Sequence, residues 1–450
     1  MIRLELTTTS RVRMLPMAFL TTALCTACGG GGTDSAVPAV QSQDAISNKQ
    51  PQTVVSYGAN AVATWNDLGA ATILLPPSPT GTPEERQPTY DLDLATLNIA
   101  IYDALVAITR SYQPFHVSVP VTPGQSDLPQ ASAVHGAAYA VLTRLFPSRS
   151  SVYKSTYDQA MAGADAQALA AAQLGADVAS QVLDWRANDG RWTPVSPYVP
   201  GTLPGEFRGV NPINQTRPYV RPFAMARADQ FRPEGPPALS STDYAADVNE
   251  VQRMAGTTST ERSPDQSANA RFFTDPPPTY STRNYGRFAT SQPTLVQNAR
   301  LMAALWVGQS DALTGCFEAK YHFNRWRPTS AIRLADTDDN PATVADAGWT
   351  PFVTTPNHPE YPAAHSCSAG ALAEVLQQVF GTRQLQFTLD SKVTGTQQTF
   401  DSVDALTKAV QAARIHGGMH FRKSTVDGEV LGMKVGKLLL REHFDPTAKP

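Results

Sequence analysis

The sequence predicts a mostly α-helical fold, on three observations. Several alanine-rich stretches carry apolar residues at three- and four-residue intervals, the spacing that places them on one face of a helix. Between Asp91 and Arg110, one such face is formed by Leu94, Leu97, Ile101, Leu105 and Ile108. Strand-like alternation is scarce, and prolines are concentrated in stretches that separate the helical ones. We therefore predict helices joined by long proline-rich loops.

The helical pattern recurs along most of the chain. The predicted helices cover residues 54–75, 91–110 and 129–145, one or two helices within 151–188, then 294–321, 371–380 and a run that begins at 403. Two proline-containing stretches, 191–240 and 258–292, are predicted to be loops. Aromatic residues interleaved in the first loop indicate that it is ordered, and it either lines an active site or covers the helices.

The charge balance argues against one class of function. The 450 residues include 36 Lys and Arg and 39 Asp and Glu, which gives a formal net charge of −3. Nucleic-acid-binding proteins commonly present a strongly basic surface, so we expect no nucleic-acid partner. A hydrophobic content of 42% is ordinary for a globular protein and permits an enzyme with a large core.

The first 28 residues resemble a bacterial lipoprotein signal. Arg3, Arg11 and Arg13 precede a short apolar run over residues 14–27, and Cys28 follows it. Residues 24–28 (LCTAC) resemble a lipobox with Cys28 as the lipidated residue. Lipidation of the cysteine three positions earlier and a plain signal peptide are the alternatives. The run is too short to span a bilayer of about 30 Å.

This start predicts an exported protein, held by its lipid at the periplasmic or outer membrane or at the cell surface. We assign residues 1–27 to the signal peptide, 28–55 to a flexible tether without periodicity, and 56–450 to a single helical domain. In an oxidising compartment the remaining cysteines, Cys316 and Cys367, either form a disulfide or stay as buried thiols.

The last third of the chain holds three separated clusters of cationic and imidazole side chains. In the first cluster, Lys320 and Arg327 are seven residues apart and would share a face of a continuing helix. Pro328 biases Arg327 away from the α conformation, which predicts that the helix ends there. Two cations on one face repel each other unless an anion lies between them.

The second cluster is a predicted helix start, and the third surrounds a glycine pair. Pro362 followed by small residues is typical of a first helical turn, whose unpaired N–H groups attract anions, and His365 lies in that turn. The glycines at 417–418 interrupt the last predicted helix and allow a ligand to approach the backbone. Arg414 and His420 flank this interruption.

Together, the patterns K-x6-R-P, P-x-x-H and R-x5-H resemble those of a known superfamily. It comprises vanadium-dependent haloperoxidases and type 2 phosphatidic acid phosphatases, with the pattern K-x6-R-P, P-S-G-H and S-R-x5-H-x3-D. The motif-bearing resemblance covers residues 290–442. Residues 98–104 (NIAIYDA) and 230–239 (QFRPEGPPAL) look like the bacterial haloperoxidase branch and extend it over most of the chain. The resemblance implies an all-α fold of the haloperoxidase and phosphatase type, with two helical bundles.

The resemblance also implies roles for the matched residues. Lys320, Arg327 and Arg414 match the cations that bind the oxyanion, so vanadate is the implied cofactor, and phosphate can occupy the same site. Each such contact at about 4 Å contributes roughly 4 kcal/mol at an effective dielectric of 20. His365 matches the acid–base histidine. His420 matches the histidine that ligates vanadium in haloperoxidases or attacks phosphorus in phosphatases.

Some positions depart from the family pattern. Ala363 and Ala364 replace the Ser and Gly of P-S-G-H, so a hydroxyl donor is absent, although the backbone N–H of Ala364 can still donate to the oxyanion. Ala413 replaces the Ser before the third-motif Arg. These changes weaken both enzymatic interpretations about equally.

One departure separates the two interpretations. Ser424 replaces the Asp of H-x3-D, so the carboxylate that would orient a nucleophilic His420 is missing from that position. Asp427 is a candidate substitute, but its spacing is wrong. Because a phosphatase needs the histidine as a nucleophile, whereas a haloperoxidase needs it only as a ligand, this loss favours the haloperoxidase.

Halide preference has two conflicting indications. His358 lies five residues before the Ser position of the second motif, where chloroperoxidases of the family typically carry Phe and algal bromoperoxidases carry His. Phe317, three residues before Lys320, is aromatic as in the chloroperoxidase pattern. We expect bromide or iodide to be slightly favoured over chloride.

Three functions stay open at this point. The first is a haloperoxidase that oxidises halide with hydrogen peroxide to hypohalous acid. The second is an acid phosphatase that cleaves a phosphate ester through a phosphohistidine on His420. The third is a non-catalytic, oxyanion-binding lipoprotein. All three require the clusters to converge, which would also bring Cys316 and Cys367 close enough to bridge.

Overall fold

The computed structural model describes residues 53–447, apart from 56, 57 and 121. The predicted signal peptide, the lipidation site Cys28 and the predicted tether as far as residue 52 lie outside the described residues. The last residues assigned to the tether are not a linker, because Thr53–Val54 form a short strand, β1, that pairs with a strand near residue 385. Ordered structure therefore begins before the boundary at residue 56.

Helices dominate the described chain, as the periodicity predicts. In chain order they are α1 (Ala61–Ile73), α2 (Pro83–Arg86), α3 (Tyr90–Thr109), α4 (Gln130–Leu145), α5 (Ser150–Ala160), α6 (Ala166–Arg186), α7 (Thr242–Ala255), α8 (Pro264–Phe272), α9 (Pro277–Tyr285), α10 (Leu295–Phe323), α11 (Pro328–Arg333), α12 (Ala364–Phe380), α13 (Val403–His416) and α14 (Arg422–Glu442).

The strands form one small sheet in the order β1-β2-β3. Strand β2 (Leu385–Ser391) lies parallel to β1 and antiparallel to β3 (Thr396–Phe400). Alternate residues of β2, from Leu385 to Leu389, point into the apolar core, so the period-two pattern is present but short. The sheet adds little to an otherwise helical fold.

The helices pack as two adjoining bundles that share α10. At 29 residues, α10 is about 44 Å long and packs against α3 in the first bundle and against α12 and α14 in the second. Helix α3 is the one described helix whose length and composition would suffice to cross a membrane, and 94% of that stretch is buried within the protein. It is a central core helix of the first bundle.

Helices α12 and α14 approach closely because small residues face each other. At Gly432, an added Cβ atom would lie 2.0 Å from the carbonyl oxygen of Cys367, so a larger residue would force the two helices apart. This contact matters for function because α12 carries His365 and the residues just before α14 include His420.

The two predicted loops differ from each other in the structure. Residues 191–240 contain no α-helix, as predicted, and are fixed by buried contacts such as that between Arg217 and Asp91. The stretch 258–292, by contrast, contains helices α8 and α9, so the loop prediction there was wrong. Helix α8 begins with a capping box between Ser263 and Gln266, which stabilises a short polar helix without apolar periodicity.

Candidate functional site

Helix α10 carries Lys320 in its last turn and ends four residues before Arg327. Asn324 adopts a left-handed conformation (φ 47°) that terminates the helix. Arg327 is extended (φ −84°, ψ 159°) and precedes α11, which begins at Pro328. The prediction that Lys320 and Arg327 share a helix face was therefore wrong. The turn after α10, rather than helical periodicity, brings the second cation back toward the first.

Lys320 is completely buried and is bound only by main-chain carbonyls. Its Nζ donates to the carbonyl oxygens of Pro359 (3.0 Å) and Glu360 (2.9 Å), which leaves one ammonium proton without a partner. Burial lowers the pKa of Lys320 to about 8. The side chain is thus a cation held in place without a bonded counter-charge.

Arg327 connects the second and third motif segments. Its Nε donates to the carbonyl oxygen of His358 (2.8 Å), and its Nη1 donates to the carbonyl oxygen of Met419 (2.7 Å) and to Nε2 of His420 (3.0 Å). Burial lowers the pKa of Arg327 to about 10. Here too, the hydrogen-bond partners are neutral.

Arg414, in the last turn of α13, is the least satisfied of the three cations. Its Nη1 donates to the carbonyl oxygen of Phe273 (3.0 Å) and its Nη2 contacts Sδ of Met419 (2.7 Å), a weak acceptor. Its Nε is buried and has no partner among the described residues. Burial, and then the nearby Arg327, lower the pKa of Arg414 to about 9.

The turn between α13 and α14 positions both Arg414 and His420. Gly418 has a φ of 79°, and a Cβ atom there would lie 2.8 Å from Cβ of Pro351, so this position requires glycine. The backbone N–H groups of Met419 and His420 both donate to the carbonyl oxygen of Arg414 (3.2 and 3.3 Å). This tight turn fixes the separation of the cation from the imidazole.

The second motif forms the start of α12. The N-cap residue Ala363 provides no side-chain acceptor, and the N–H of Ala364 has no acceptor among the described residues. This open helix end is favourable for an anion. His365 lies in the same turn, lines the main cavity and has no hydrogen-bond partner in the described part of the chain. Burial and the three cations hold its pKa well below the usual value, so the ring is neutral.

His420 is buried and bound at both ring nitrogens. Its Nδ1 lies 2.8 Å from Oε1 of Glu360, and its Nε2 faces Arg327. A guanidinium only donates and a carboxylate accepts, so Nδ1 carries the proton and Nε2 presents its lone pair. Burial and the surrounding cations lower the pKa of His420 well below its usual value.

Sequence spacing did not identify Glu360. The expectation of a missing carboxylate holds for Ser424, whose Oγ lies 3.4 Å from Nδ1 of His420, but not for the site as a whole. Asp427 binds Tyr361 and Lys423 instead. The sequence indicated a role for Glu360 only through its position directly before the second motif.

The predicted halide residues lie together at the edge of the cation cluster. The rings of Phe317 and His358 are 5.1 Å apart, and Nδ1 of His358 accepts from Nη2 of Arg327 (3.0 Å). Burial, followed by the charges of Arg327 and Lys320, lowers the pKa of His358 well below its usual value. The imidazole is therefore neutral.

A cavity of about 850 Å³ is lined by Phe317, His358, His365 and Arg414, and the proline-rich loop contributes Arg217 to its wall. Lys320, Arg327 and His420 are not among the residues that line it. The loop therefore lines the candidate site, which was one of the two roles considered for it. Most of the remaining lining is apolar, so the cavity could also admit an organic molecule.

The residues present fit an oxyanion such as vanadate. The free proton on Lys320, the unpartnered Nε of Arg414 and the open N–H of Ala364 are donors without acceptors, and none of the three cations is hydrogen-bonded to a carboxylate. In the described part of the chain, no three His, Cys, Asp or Glu residues are arranged to hold a bare metal ion. The site suits a tetrahedral anion held by cations.

Cys316 and Cys367 lie beside this site. Both are buried free thiols with their sulfur atoms 2.7 Å apart, and Cys316 also contacts the carbonyl oxygen of Pro362 (3.6 Å). The expected proximity of the two cysteines is therefore present in the structure.

Known proteins resemble this chain in sequence. The family model described as the VCPO second helical-bundle domain matches residues 300–446. The vanadium chloroperoxidase of Curvularia inaequalis is 24% identical over 415 residues, which is 73% of this chain and 66%, just under two thirds, of that protein.

Solved structures share the fold. The first bacterial vanadium-dependent iodoperoxidase superposes with a TM-score of 0.68 at 20% identity, covering 87% of this chain and 97% of that one. An apo-type bacterial vanadium-dependent chloroperoxidase superposes with a TM-score of 0.64 at 14% identity, covering 82% and 96%. The chain therefore shares the helical fold of these vanadium-dependent haloperoxidases, and residues 300–446 match the second helical-bundle domain of the family model.

Proposed function

We propose that this protein is a vanadate-dependent haloperoxidase. In the net reaction, halide, hydrogen peroxide and a proton give hypohalous acid and water. The observation that carries the proposal is the set of three buried cations, Lys320, Arg327 and Arg414, which are bonded to neutral groups and lie near His420, whose Nε2 accepts a hydrogen bond from Arg327. The relatives named as vanadium chloroperoxidases and an iodoperoxidase support the same assignment.

The three cations and the N–H of Ala364 would hold vanadate, with Nε2 of His420 as its ligand from the protein. Vanadate supplies a Lewis-acidic centre that polarises hydrogen peroxide for oxygen transfer to the halide. The chain's own contribution is orientation and charge compensation. Lys320 is fixed by two carbonyl acceptors and does not need to reorganise when an anion enters, whereas Arg327, held by the carbonyl oxygen of His358, would release Nε2 of His420.

His365 would accept the proton of hydrogen peroxide. Its ring is neutral because burial and the three neighbouring cations disfavour protonation, and it lines the cavity without a hydrogen-bond partner among the described residues. A phosphatase needs the reverse starting state, in which a protonated imidazole donates to the leaving alcohol. The free site therefore starts in the protonation state that a peroxidase uses.

Halide would approach past Phe317 and His358. Both side chains line the cavity beside Arg327, whose positive charge attracts an anion. Because His358 occupies the position at which chloroperoxidases of the family typically have Phe, we place bromide and iodide ahead of chloride.

An acid phosphatase is a second candidate function, and one observation supports it. The carboxylate of Glu360 orients the imidazole of His420, with Nδ1 protonated and Nε2 unprotonated, as a nucleophilic histidine requires. The loss of Asp at position 424 therefore no longer argues against phosphoryl transfer. Both candidate enzymes use the same site.

A halide assay separates these functions. The purified protein should brominate a dione reporter with hydrogen peroxide only after vanadate is added, and inorganic phosphate should compete with vanadate. Vanadate-inhibited hydrolysis of an aryl phosphate, without bromination, would instead establish the phosphatase. Vanadate binding without either activity would indicate the non-catalytic oxyanion-binding lipoprotein.

We also propose export and lipidation at Cys28. The arginine-rich start, the short apolar run and the cysteine support this proposal. Metabolic labelling with palmitate should modify the wild-type protein, whereas the Cys28→Ala variant should stay unlabelled. Labelling of that variant would assign the lipid to another residue.

A further inference from the structure

Glu360 is a buried carboxylate that contacts two of the three motif segments. Its side chain is 1% exposed, and Oε1 accepts from Nδ1 of His420 (2.8 Å) and from the backbone N–H of Phe421 (3.1 Å). Its own N–H donates to the carbonyl oxygen of Arg325 (2.8 Å), and its carbonyl oxygen accepts from Lys320. The backbone of Glu360 is thus tied to the first motif and its side chain to the third.

This contact determines which nitrogen of His420 is available. Arg327 donates to Nε2 and the carboxylate of Glu360 accepts from Nδ1, so both contacts favour the ring that is protonated at Nδ1. A carboxylate on Nδ1 fixes the ring orientation and increases the basicity of Nε2. A ligand to an oxyanion and a nucleophile both require that Nε2 lone pair.

No other described acidic side chain makes this contact. Asp427 is bound to the hydroxyl group of Tyr361 and to Nζ of Lys423 (2.6 Å). The hydroxyl of Ser424 is 3.4 Å from Nδ1 and 3.5 Å from the carbonyl oxygen of Glu360, which is too long for a strong hydrogen bond. Ser424 therefore fills the space but does not provide the charge.

We propose that Glu360 is the positioning residue for His420, replacing the carboxylate that the third motif lacks at Ser424. In this chain the carboxylate comes from 60 residues earlier, directly before the second motif. The proposal rests on the proposed function only in assigning His420 to the reacting site. The tautomer and orientation that Glu360 imposes exist in the protein without vanadate.

The decisive variant is Glu360→Gln, which keeps the shape and removes the charge. In the vanadate-free protein, nitrogen NMR should show the His420 ring protonated at Nδ1 in the wild type and a smaller Nδ1-protonated fraction in the variant. Whichever activity the wild type shows, bromination or aryl-phosphate hydrolysis, kcat should fall by about 10- to 100-fold. The matched control is Glu374→Gln, which should change neither readout. Glu374 is a buried glutamate on α12 that is hydrogen-bonded to Gln378 (2.7 Å).

Relocating the charge distinguishes positioning from a merely structural role. Adding Ser424→Asp to Glu360→Gln should restore the Nδ1-protonated ring and most of kcat, because the new carboxylate lies beside the same nitrogen. An unchanged ring in Glu360→Gln, or a folded double variant in which neither the ring pattern nor kcat returns, overturns the proposal. If Glu360→Gln alone does not fold, the double variant decides, and an unfolded double variant would also overturn it. An inactive wild type that shows the expected ring pattern would contradict only the proposed function.

Discussion

Arg414 provides the most direct test of whether the buried cations serve to bind an anion. Its side chain makes few strong hydrogen bonds within the protein. The side chain is 2% exposed, one nitrogen is unpartnered and a second meets only a thioether. Replacement by methionine removes a buried charge while keeping much of the side-chain volume. We expect Arg414→Met to stabilise the protein without an oxyanion and, at the same time, to weaken oxyanion binding.

The magnitudes follow from the structure. The lowering of the Arg414 pKa to about 9 corresponds to about 5 kcal/mol against the charged side chain. Losing the hydrogen bond to the carbonyl oxygen of Phe273 offsets about 1–3 kcal/mol of this, which leaves a stabilisation of about 2–4 kcal/mol. The contact between the Arg414 charge and a bound oxyanion contributes roughly 4 kcal/mol, so its loss should weaken oxyanion binding by about 1,000-fold.

Urea unfolding with and without inorganic phosphate measures both effects. Without phosphate, Arg414→Met should unfold at a higher urea concentration than the wild type, and saturating phosphate should stabilise only the wild type. Arg325→Met is the matched control, because Arg325 is also buried but donates to the carbonyl oxygen of Pro237 outside the cation cluster. A destabilised Arg414→Met variant that binds phosphate normally would refute the reasoning.

Three further predictions concern the same site. His420→Ala should abolish activity because the imidazole whose Nε2 lies 3.0 Å from Nη1 of Arg327 is lost, whereas His416→Ala, four residues earlier and outside the cluster, should keep it; full activity in the first variant would dismiss the site. Sulfate, whose charge is constant at neutral and alkaline pH, should bind with constant affinity below pH 8 and more weakly above it. Lys320, with its pKa of about 8, loses its proton there, and Lys320→Met should remove the step near pH 8 in titration calorimetry. Diamide should join Cys316 to Cys367 in the folded protein, seen as a mass lower by two hydrogen atoms, and an intermolecular dimer instead would contradict their measured proximity.

Long apolar helices were predictable because their pattern is local. The prediction for residues 294–321 matches α10 (Leu295–Phe323) closely, and that for 91–110 matches α3 (Tyr90–Thr109). Helices α8 and α9 were missed because their polar sequences are stabilised by end contacts and by packing. Hydrophobic periodicity does not record either of these.

The sequence motifs identified the cations and histidines of the site. Their arrangement in space depends on tertiary contacts, which sequence spacing does not predict. The left-handed Asn324 redirects the chain between Lys320 and Arg327, which periodicity treated as one helix. Glu360 and His420 are 60 residues apart, so a pattern that places the carboxylate four residues after the histidine could not indicate their contact. Tertiary structure supplies the group that the motif lost.

Two uses of buried arginine in this protein show why the cation cluster implies a ligand. Arg217 and Arg191 are buried against Asp91 and Asp93, so their charges are neutralised within the fold. Lys320, Arg327 and Arg414 are buried at least as deeply, yet their hydrogen-bond partners are carbonyl groups, two imidazoles and a thioether. Burying unpaired charge is unfavourable, and carbonyl groups provide orientation without cancelling the charge. The fold can form ion pairs and does so near the same cavity, and the single carboxylate of Glu360 offsets only part of the three positive charges, so the excess positive charge beside His420 favours an anion there.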